Sequence, residues 1–196
     1  MKLKAPSSPA AVEATATGIE RMLERFHKKK DYAMSVPLAL LKQAEAQSLV
    51  HRWRSEEQGI LVGKKTVLFD DPELNVRDWV GKNPTRIVLD RNLELPKDRK
   101  VFNGAIPTLV YNNIQNRNEG ETQYLKLNYT LENLQPVLDD LYRREISSLI
   151  VEGGKLLLEH FIKEQLWDEA RVFIGKKEFK EGVKAPVLKE LPISDE

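Results

Sequence analysis

Apolar residues recur along the chain in two alternating patterns. Short apolar runs bounded by glycine, proline or polar residues are typical of buried strands. The predicted strands lie at 60–62, 86–90, 108–111, 147–151 and 169–174. A weaker strand is predicted at 124–127, after a polar loop from Asn112 to Gln123. Apolar positions at helical spacing indicate helices at 12–30, 37–57, 131–141 and 155–163. This alternation predicts an α/β fold with a mainly parallel central sheet flanked by helices.

The first residues differ in composition from the rest of the chain. Residues 5–10 contain two prolines and two serines, which is typical of a linker, and an amphipathic helix is predicted to follow. We therefore divide the chain into an N-terminal linker and helix, 1–35, and a main domain, 36–190.

Composition narrows the possible classes of protein. Hydrophobic residues make up 41% of the 196 residues, and the formal net charge is only +1. These values exclude a wholly disordered chain and disfavour a nucleic-acid-binding protein. No run of 18 apolar residues and no secretory h-region occur, so we expect no contact with a membrane and a cytoplasmic location. Cysteine is absent, and the three histidines do not stand at metal-ligand spacing, so no metal site is expected.

The strongest chemical signal is the end of the strand at 147–151. Glu152 follows this strand and precedes Gly153 and Gly154, after which a helix begins. Glycines at such a turn let a ligand approach the backbone, and the helix N-terminus attracts phosphate. A tight strand–helix turn with a solvated Glu152 explains the same residues equally well. The G-x-G-x-x-G fingerprint is missing, which disfavours a plain Rossmann domain.

A second candidate follows the strand at 60–62. Gly63 leads into a predicted polar turn. In this turn Thr66 is a candidate to bind a phosphate or a ribose, and Asp70 is a candidate to bind a ribose hydroxyl. Asp70-Asp71-Pro72 is also an ordinary turn initiator, and residue type alone favours that interpretation. Arg77 is either a phosphate ligand or the partner of Asp78 in a surface ion pair.

The third candidate is Val50-His51-Arg52-Trp53-Arg54 on the second predicted helix. Arg54 is placed to point toward the edge of the sheet. Trp53 is interpreted as a core residue rather than a stacking platform, and His51 as a surface or hydrogen-bonded histidine rather than a catalytic acid. No nucleophile elbow is present.

Taken in order, these motifs resemble the reductase domain of the bifunctional riboflavin-biosynthesis deaminase–reductase family, whose fold is that of dihydrofolate reductase. The resemblance covers about residues 36–186. Its landmarks are His51-Arg52-Trp53-Arg54, Ile60-Leu61-Val62-Gly63, Thr66-Val67-Leu68, Asp70-Asp71-Pro72 with Leu74 and Arg77, Gly81-Lys82-Asn83-Pro84, Arg86-Ile87-Val88-Leu89-Asp90, Val151-Glu152-Gly153-Gly154, Leu166-Trp167-Asp168-Glu169-Ala170 and Gly182-Val183-Lys184-Ala185-Pro186.

The resemblance implies an NADPH-dependent reduction of 5-amino-6-(5-phosphoribosylamino)uracil to its ribitylamino product. It also implies a homodimer paired through its sheets, but it assigns no catalytic acid or base. The implied substrate contacts are Arg54, Leu74, Arg77 and Glu152, with the arginines on the 5′-phosphate. The implied NADPH contacts are Thr66, Asp70, Gly153, Gly154, Lys155 and Leu156.

Three features of the family have no counterpart in this sequence. They are the opening core strand with its Ala-x-Ser-Leu-Asp-Gly segment, the polar element before the second helix, where Leu38-Ala39-Leu40 stands, and the zinc-binding deaminase domain. These differences suggest an alternative: a catalytically degenerate homologue acting as a ligand-binding or structural subunit. A missing core strand would also expose a sheet edge that invites dimerisation.

Overall fold

A computed structural model describes residues 33–35, 43–172 and 182–186. The strands are β1 (Ala33–Ser35), β2 (Gly59–Gly63), β3 (Thr85–Leu89), β4 (Thr108–Asn112), β5 (Arg117–Glu119), β6 (Thr122–Lys126), β7 (Leu149–Gly153) and β8 (Glu169–Arg171). The helices are α1 (Gln43–Glu56), α2 (Lys64–Asp70), α3 (Gln135–Arg143) and α4 (Lys155–Lys163), with a 3₁₀ turn at Lys100–Phe102. The predicted helix at 12–30 lies outside the described residues.

The strands form one sheet in the order β5-β6-β4-β3-β2-β7-β1-β8. Every neighbouring pair is parallel except β5 and β6. Leu61 of β2 pairs with Ile87 on one side and with Val151 on the other. The chain order reverses at β2, because β3 and β4 continue on one side while β7 returns on the other. A crevice opens at the carboxyl ends of strands at such a reversal.

The sheet separates two hydrophobic cores because alternate residues of a strand face opposite sides. Leu61, Ile87 and Leu149 face one core, which includes Val137 of α3 and Phe161 of α4. Ile60, Val62, Val88, Val110 and Ile150 face the other core, which includes Val67, Leu74 and Val101, with Trp53 packed against it. The expected mainly parallel sheet with helices on both faces is therefore confirmed.

The prediction of a polar turn after Gly63 is wrong, because Lys64–Asp70 is helix α2. Only Val67 of this short helix is buried, so its apolar spacing leaves almost no signal in the sequence. The C-cap of this helix is Asp71, whose φ of 41° is left-handed and whose N–H donates to the Val67 carbonyl at 3.2 Å.

Two further predictions about secondary structure are wrong: one missed a strand, and the other placed the start of a helix too early. The loop predicted from Asn112 to Gln123 contains β5, an antiparallel edge strand that pairs with β6 after a turn at Gly120. The helix predicted from 131 begins at Gln135, because Thr130 and Asn133 first close a turn through reciprocal backbone hydrogen bonds of 3.3 and 3.2 Å.

The expectation that the sheet lacks a strand before the second predicted helix is also wrong. Ala33–Ser35, which the division at residue 35 assigned to the N-terminal segment, forms β1 between β7 and β8. The argument for a dimer from an exposed edge at this place therefore fails.

The length and hydropathy of a helix decide whether it could span a membrane. Among the described residues, none of the helices has the length and apolar character needed to span a membrane.

Candidate active site

The crevice at the strand-order reversal has a glycine-lined side. Gly63 ends β2, Gly153 ends β7, and Gly154 precedes α4. A β-carbon at Gly63 would lie 3.9 Å from the Gly154 amide nitrogen, and one at Gly154 would lie 3.3 Å from Thr66 Oγ1. The two strand ends and the first turn of α2 therefore approach each other closely. Backbone groups, rather than side chains, form much of this surface.

Gly153 and Gly154 differ in conformation. Gly153 has a φ of +131°, which strains any residue with a side chain, whereas Gly154 is in an ordinary extended conformation at −84°. The peptide bond between them is cis. Gly154 is the N-cap of α4, and its carbonyl accepts the N–H groups of Leu157 and Leu158 at 2.9 and 3.1 Å. Lys155 and Leu156 form the first turn of α4, and Leu156 is exposed.

Thr66 and Asp70 lie four residues apart on α2, so they share one face of this helix. The Thr66 hydroxyl lies beside Gly153 and Gly154, two other members of the predicted cofactor set. Asp70 is the last residue of α2 and is exposed. The neighbouring Asp71 has a structural role, because its Oδ1 accepts the Lys100 N–H at 2.9 Å.

The other side of the crevice carries charged side chains. Arg54, at the end of α1, donates from Nε and Nη2 to the two carboxylate oxygens of Glu152, both at 2.6 Å. Each of these side chains is only 12% exposed. The Arg54 Nη1 group donates to the Asn75 carbonyl at 3.0 Å. Glu152 is therefore not the solvated residue of the alternative interpretation, and its partner stands 98 positions earlier in the chain.

Leu74 anchors the loop that carries Asn75 and Arg77. Its φ of +49° is left-handed, and its residue surface is 1% exposed because it packs in the core that contains Val67. The structure thus gives Leu74 a clear anchoring role, and its contact with substrate stays a prediction.

Arg77 is the exposed member of the arginine pair. Its Nη1 donates to Asn75 Oδ1 at 3.0 Å, and its Nε lies 3.7 Å from Asp78 Oδ2. The side chain is 52% exposed, so the ion pair with Asp78 leaves the guanidinium accessible. Asn75 contacts both arginines, yet the sequence analysis did not select it. The only signal was its position between Leu74 and Arg77.

His51 is buried beneath the same loop. Its Nδ1 accepts the Arg77 backbone N–H at 3.4 Å, and its Nε2 lies 3.2 Å from Asp78 Oδ2. Burial lowers the pKa of His51, as do Arg54 and Arg77, while Asp78 and the Asn75 backbone oppose this shift. The interpretation of His51 as a hydrogen-bonded histidine is confirmed. Trp53 packs against the core as interpreted, and it also carries the Arg171 guanidinium 4.6 Å from its ring centre.

The arrangement suits an elongated ligand with a nucleotide-like part over the glycines and an anionic part near the arginines. In the part of the chain that the structure describes, no group of three or more histidine, aspartate or glutamate side chains could hold a metal ion.

A mainly parallel sheet whose strand order reverses at β2 is typical of α/β proteins in which ligands bind at the carboxyl ends of the strands. The sequence model of the RibD C-terminal domain family matches residues 25–177. The chain belongs to this family, and the expected dihydrofolate-reductase-like fold is confirmed.

Two similar proteins come from Aquifex aeolicus. The chain is 37% identical over 147 residues to its riboflavin biosynthesis protein RibD, covering 71% of this chain and 40% of that protein. It is 33% identical over 148 residues to its 2,5-diamino-6-ribosylamino-4(3H)-pyrimidinone 5′-phosphate reductase, covering 71% and 66%. The match thus spans less than half of the first relative and about two thirds of the second.

Two solved structures have a similar fold. The Thermotoga maritima deaminase/5-amino-6-(5-phosphoribosylamino)uracil reductase is 25% identical with a TM-score of 0.58, covering 74% of this chain and 45% of that one. A Saccharomyces cerevisiae riboflavin biosynthesis reductase is 22% identical with a TM-score of 0.55, covering 72% and 71%. The second likeness concerns the fold alone.

Proposed function

We propose that this protein is an NADPH-dependent reductase that converts 5-amino-6-(5-phosphoribosylamino)uracil, or the corresponding 2,5-diaminopyrimidinone, to its ribitylamino product. The observation that carries the proposal is the two-sided crevice, with Thr66 and the glycines on one side and Arg54, Arg77 and Glu152 on the other. The names of the A. aeolicus relatives support the same reaction. Converting a ribosyl to a ribityl group adds a hydride and a proton, and bound NADPH supplies the hydride.

The glycine-lined side fits the cofactor. Gly63 and Gly154 leave open the space that β-carbons would fill, and the N–H groups at the start of α4 suit a pyrophosphate. Thr66 supplies a hydroxyl at this surface, Asp70 follows it on the same helix face, and Lys155 and Leu156 complete the cofactor side. The residues of this chain bind and orient the cofactor, while the hydride chemistry belongs to the cofactor itself.

NADPH rather than NADH is proposed from the family resemblance. The acidic residue at the end of β3 has a structural role: Asp90 is buried, and its carboxylate oxygens accept the N–H groups of Glu94 and Leu95 at 3.1 and 2.9 Å.

The charged side fits a phosphorylated sugar. A guanidinium has five N–H donors, and those of Arg54 make three hydrogen bonds here, two to Glu152 and one to Asn75. Counting partners among the described residues, two donors remain for a phosphate, and the accessible Arg77 adds the second guanidinium. In this proposal Glu152, held by Arg54, contacts the sugar, and Leu74 contributes through the loop that it anchors.

The test is steady-state NADPH oxidation with the phosphorylated substrate, comparing Arg77→Ala with Arg52→Ala. Both side chains are 52% exposed, but Arg52 pairs with Glu56 along α1. Loss of a charged hydrogen-bonding partner costs about 1.5–3 kcal/mol, so Arg77→Ala should raise KM roughly tenfold to hundredfold while Arg52→Ala leaves it unchanged. Equal values for both variants would contradict the phosphate contact. NADPH binding without turnover in the unmodified protein would instead indicate the degenerate homologue.

We also propose a homodimer, on the ground of family membership alone. Light scattering at high concentration should give twice the chain mass of 22.5 kDa. A single species at 22.5 kDa would contradict this part of the proposal.

A further inference from the structure

Asn75 lies where the two arginines of the charged side meet. Its backbone carbonyl accepts the Arg54 Nη1 group at 3.0 Å, and its side-chain Oδ1 accepts the Arg77 Nη1 group, also at 3.0 Å. The two guanidinium groups therefore share one residue as an anchor, although they come from a helix and from a loop.

The orientation of the Asn75 amide is itself fixed. Its Nδ2 donates to Glu73 Oε2 at 2.7 Å, so the acceptor oxygen of the amide is the one presented to Arg77. The preceding Leu74 is buried in the core, which holds the backbone of Asn75 in place. The Asn75 backbone, fixed by the buried Leu74, therefore restrains the Arg54 guanidinium. The Asn75 side-chain amide, fixed by Glu73, restrains the Arg77 guanidinium.

We infer that Asn75 is a positioning residue, which holds Arg77 at a set distance from Arg54 so that both guanidinium groups reach one phosphate. This inference rests on the proposed function. An exposed arginine side chain loses rotamer freedom when it binds a ligand, and a pre-formed hydrogen bond removes part of that cost before the ligand arrives. The role also explains why a short amide stands here: its carbonyl accepts from Arg77 without adding a negative charge that would compete with the phosphate.

The two contacts of Asn75 can be tested separately, because one uses its backbone carbonyl and the other its side chain. In Asn75→Ala the backbone carbonyl remains, so the Arg54 contact is kept and only the Arg77 contact is lost. We expect KM for the phosphorylated substrate to rise about tenfold, with kcat and NADPH affinity unchanged, because one hydrogen bond to a charged group is removed. A substrate analogue without the 5′-phosphate should bind both proteins equally.

Asn83 provides the matched control. Its Oδ1 accepts the Val76 N–H at 2.7 Å, so it holds the backbone of the same loop without contacting either arginine. Asn83→Ala should lower the unfolding midpoint by no more than Asn75→Ala and leave KM near that of the unmodified protein. An equal rise in KM for both variants would overturn the inference, because general loosening of the loop would then explain it.

A double-mutant cycle decides whether Asn75 acts through Arg77. In an Arg77→Ala background, Asn75→Ala should have no further effect on KM. An additional tenfold rise there would show that Asn75 acts by another route and would overturn the inference. The failure of the proposed function looks different: the unmodified protein would then not oxidise NADPH with the phosphorylated substrate. An unchanged KM in Arg77→Ala would instead remove the phosphate contact and overturn the inference. If Arg77→Ala raises KM and Asn75→Ala does not, only the positioning role fails.

Discussion

The two sides of the crevice are built by opposite means. On the arginine side, Arg54, Glu152, Asn75 and Arg77 contact one another through hydrogen bonds between side chains and to one backbone carbonyl. On the glycine side, the surface exists because Gly63, Gly153 and Gly154 have no side chains that would fill it.

This difference predicts two kinds of sensitivity to mutation. A side chain removed from the arginine side leaves a partner without its contact, so both stability and substrate binding should suffer. A side chain added to the glycine side fills the space for a ligand, so ligand affinity should fall while the fold remains. The following experiments test this contrast.

The largest effect is expected for Arg54→Ala. Removing one partner of a buried ion pair typically costs about 3–5 kcal/mol, because the other charge stays buried without compensation. Glu152 would be that charge, so we expect the free energy of unfolding in urea to fall by about 3 kcal/mol. Arg52→Ala, which breaks an exposed pair on the same helix, should cost about 0–1 kcal/mol. Equal costs for the two variants would remove the contrast between the sides.

Gly154→Val tests the glycine side. The extended φ of −84° tolerates a side chain, but the added carbon atoms would lie against Thr66 Oγ1. Calorimetry should show NADPH affinity reduced by about hundredfold, or roughly 2.7 kcal/mol, with a stability change below about 1 kcal/mol.

The neighbouring glycine is the matched control. Gly153→Ala should lower stability whether or not a ligand is present, because its φ of +131° strains any side chain. Undiminished NADPH affinity in a folded Gly154→Val protein would show that the cofactor lies elsewhere.

Thr66→Val should have a smaller effect than Gly154→Val. Valine keeps the shape of threonine but lacks the hydroxyl, and one neutral hydrogen bond contributes about 0.5–1.5 kcal/mol. We therefore expect a roughly fivefold loss of NADPH affinity, measured by calorimetry. Lys65→Ala, the adjacent exposed residue of α2, should bind NADPH normally. If the two variants behave alike, the Thr66 hydroxyl is not a ligand.

The smallest expected effect is on the pH dependence of the free energy of unfolding. Burial lowers the pKa of His51, and it lowers the pKa of His160 as well, below the ordinary value of 6.5. The unfolded chain therefore binds more protons than the folded one just below pH 6.5, and stability falls as the pH drops through that window. For each histidine the slope is at most about 1.4 kcal/mol per pH unit.

Urea unfolding at a series of pH values measures this slope. His51→Gln should reduce it between pH 6.5 and 5, and the remaining slope should come in part from His160. A slope unchanged in His51→Gln would mean that His51 is not held neutral in the folded protein.

Hydrophobic patterning predicted those elements that bury many apolar residues. The strands at the middle of the sheet and helix α4 are confirmed because their apolar runs face the cores. Two elements escaped prediction because they bury little: α2 buries only Val67, and β5 is a polar edge strand held by backbone pairing. Strand β1 escaped prediction because it is only three residues long.

The candidate residues came from motif resemblance, and the structure joins Arg54, Arg77 and Glu152 in one hydrogen-bonded cluster and places Thr66 beside Gly153 and Gly154. What the sequence could not provide is the pairing of Arg54 with Glu152, because residues 98 positions apart leave no periodic signal. The role of Asn75 was also invisible, since it depends on two hydrogen bonds made by different parts of one residue. Pair geometry of this kind appears only when the chain is folded.

The position of β1 has a consequence for the order in which the sheet assembles. Strands β2, β3 and β4 find their partners nearby in the chain, so this half can pair while synthesis continues. Strand β1 is the first of the described strands to be synthesised, yet Ala33 pairs with Ile150 and Glu169, near the other end of the described chain. Long-range closure of this kind slows folding. We expect the edge of β7 that faces β1 to stay unpaired until β1 pairs with it. The protein should be most prone to aggregation during that interval.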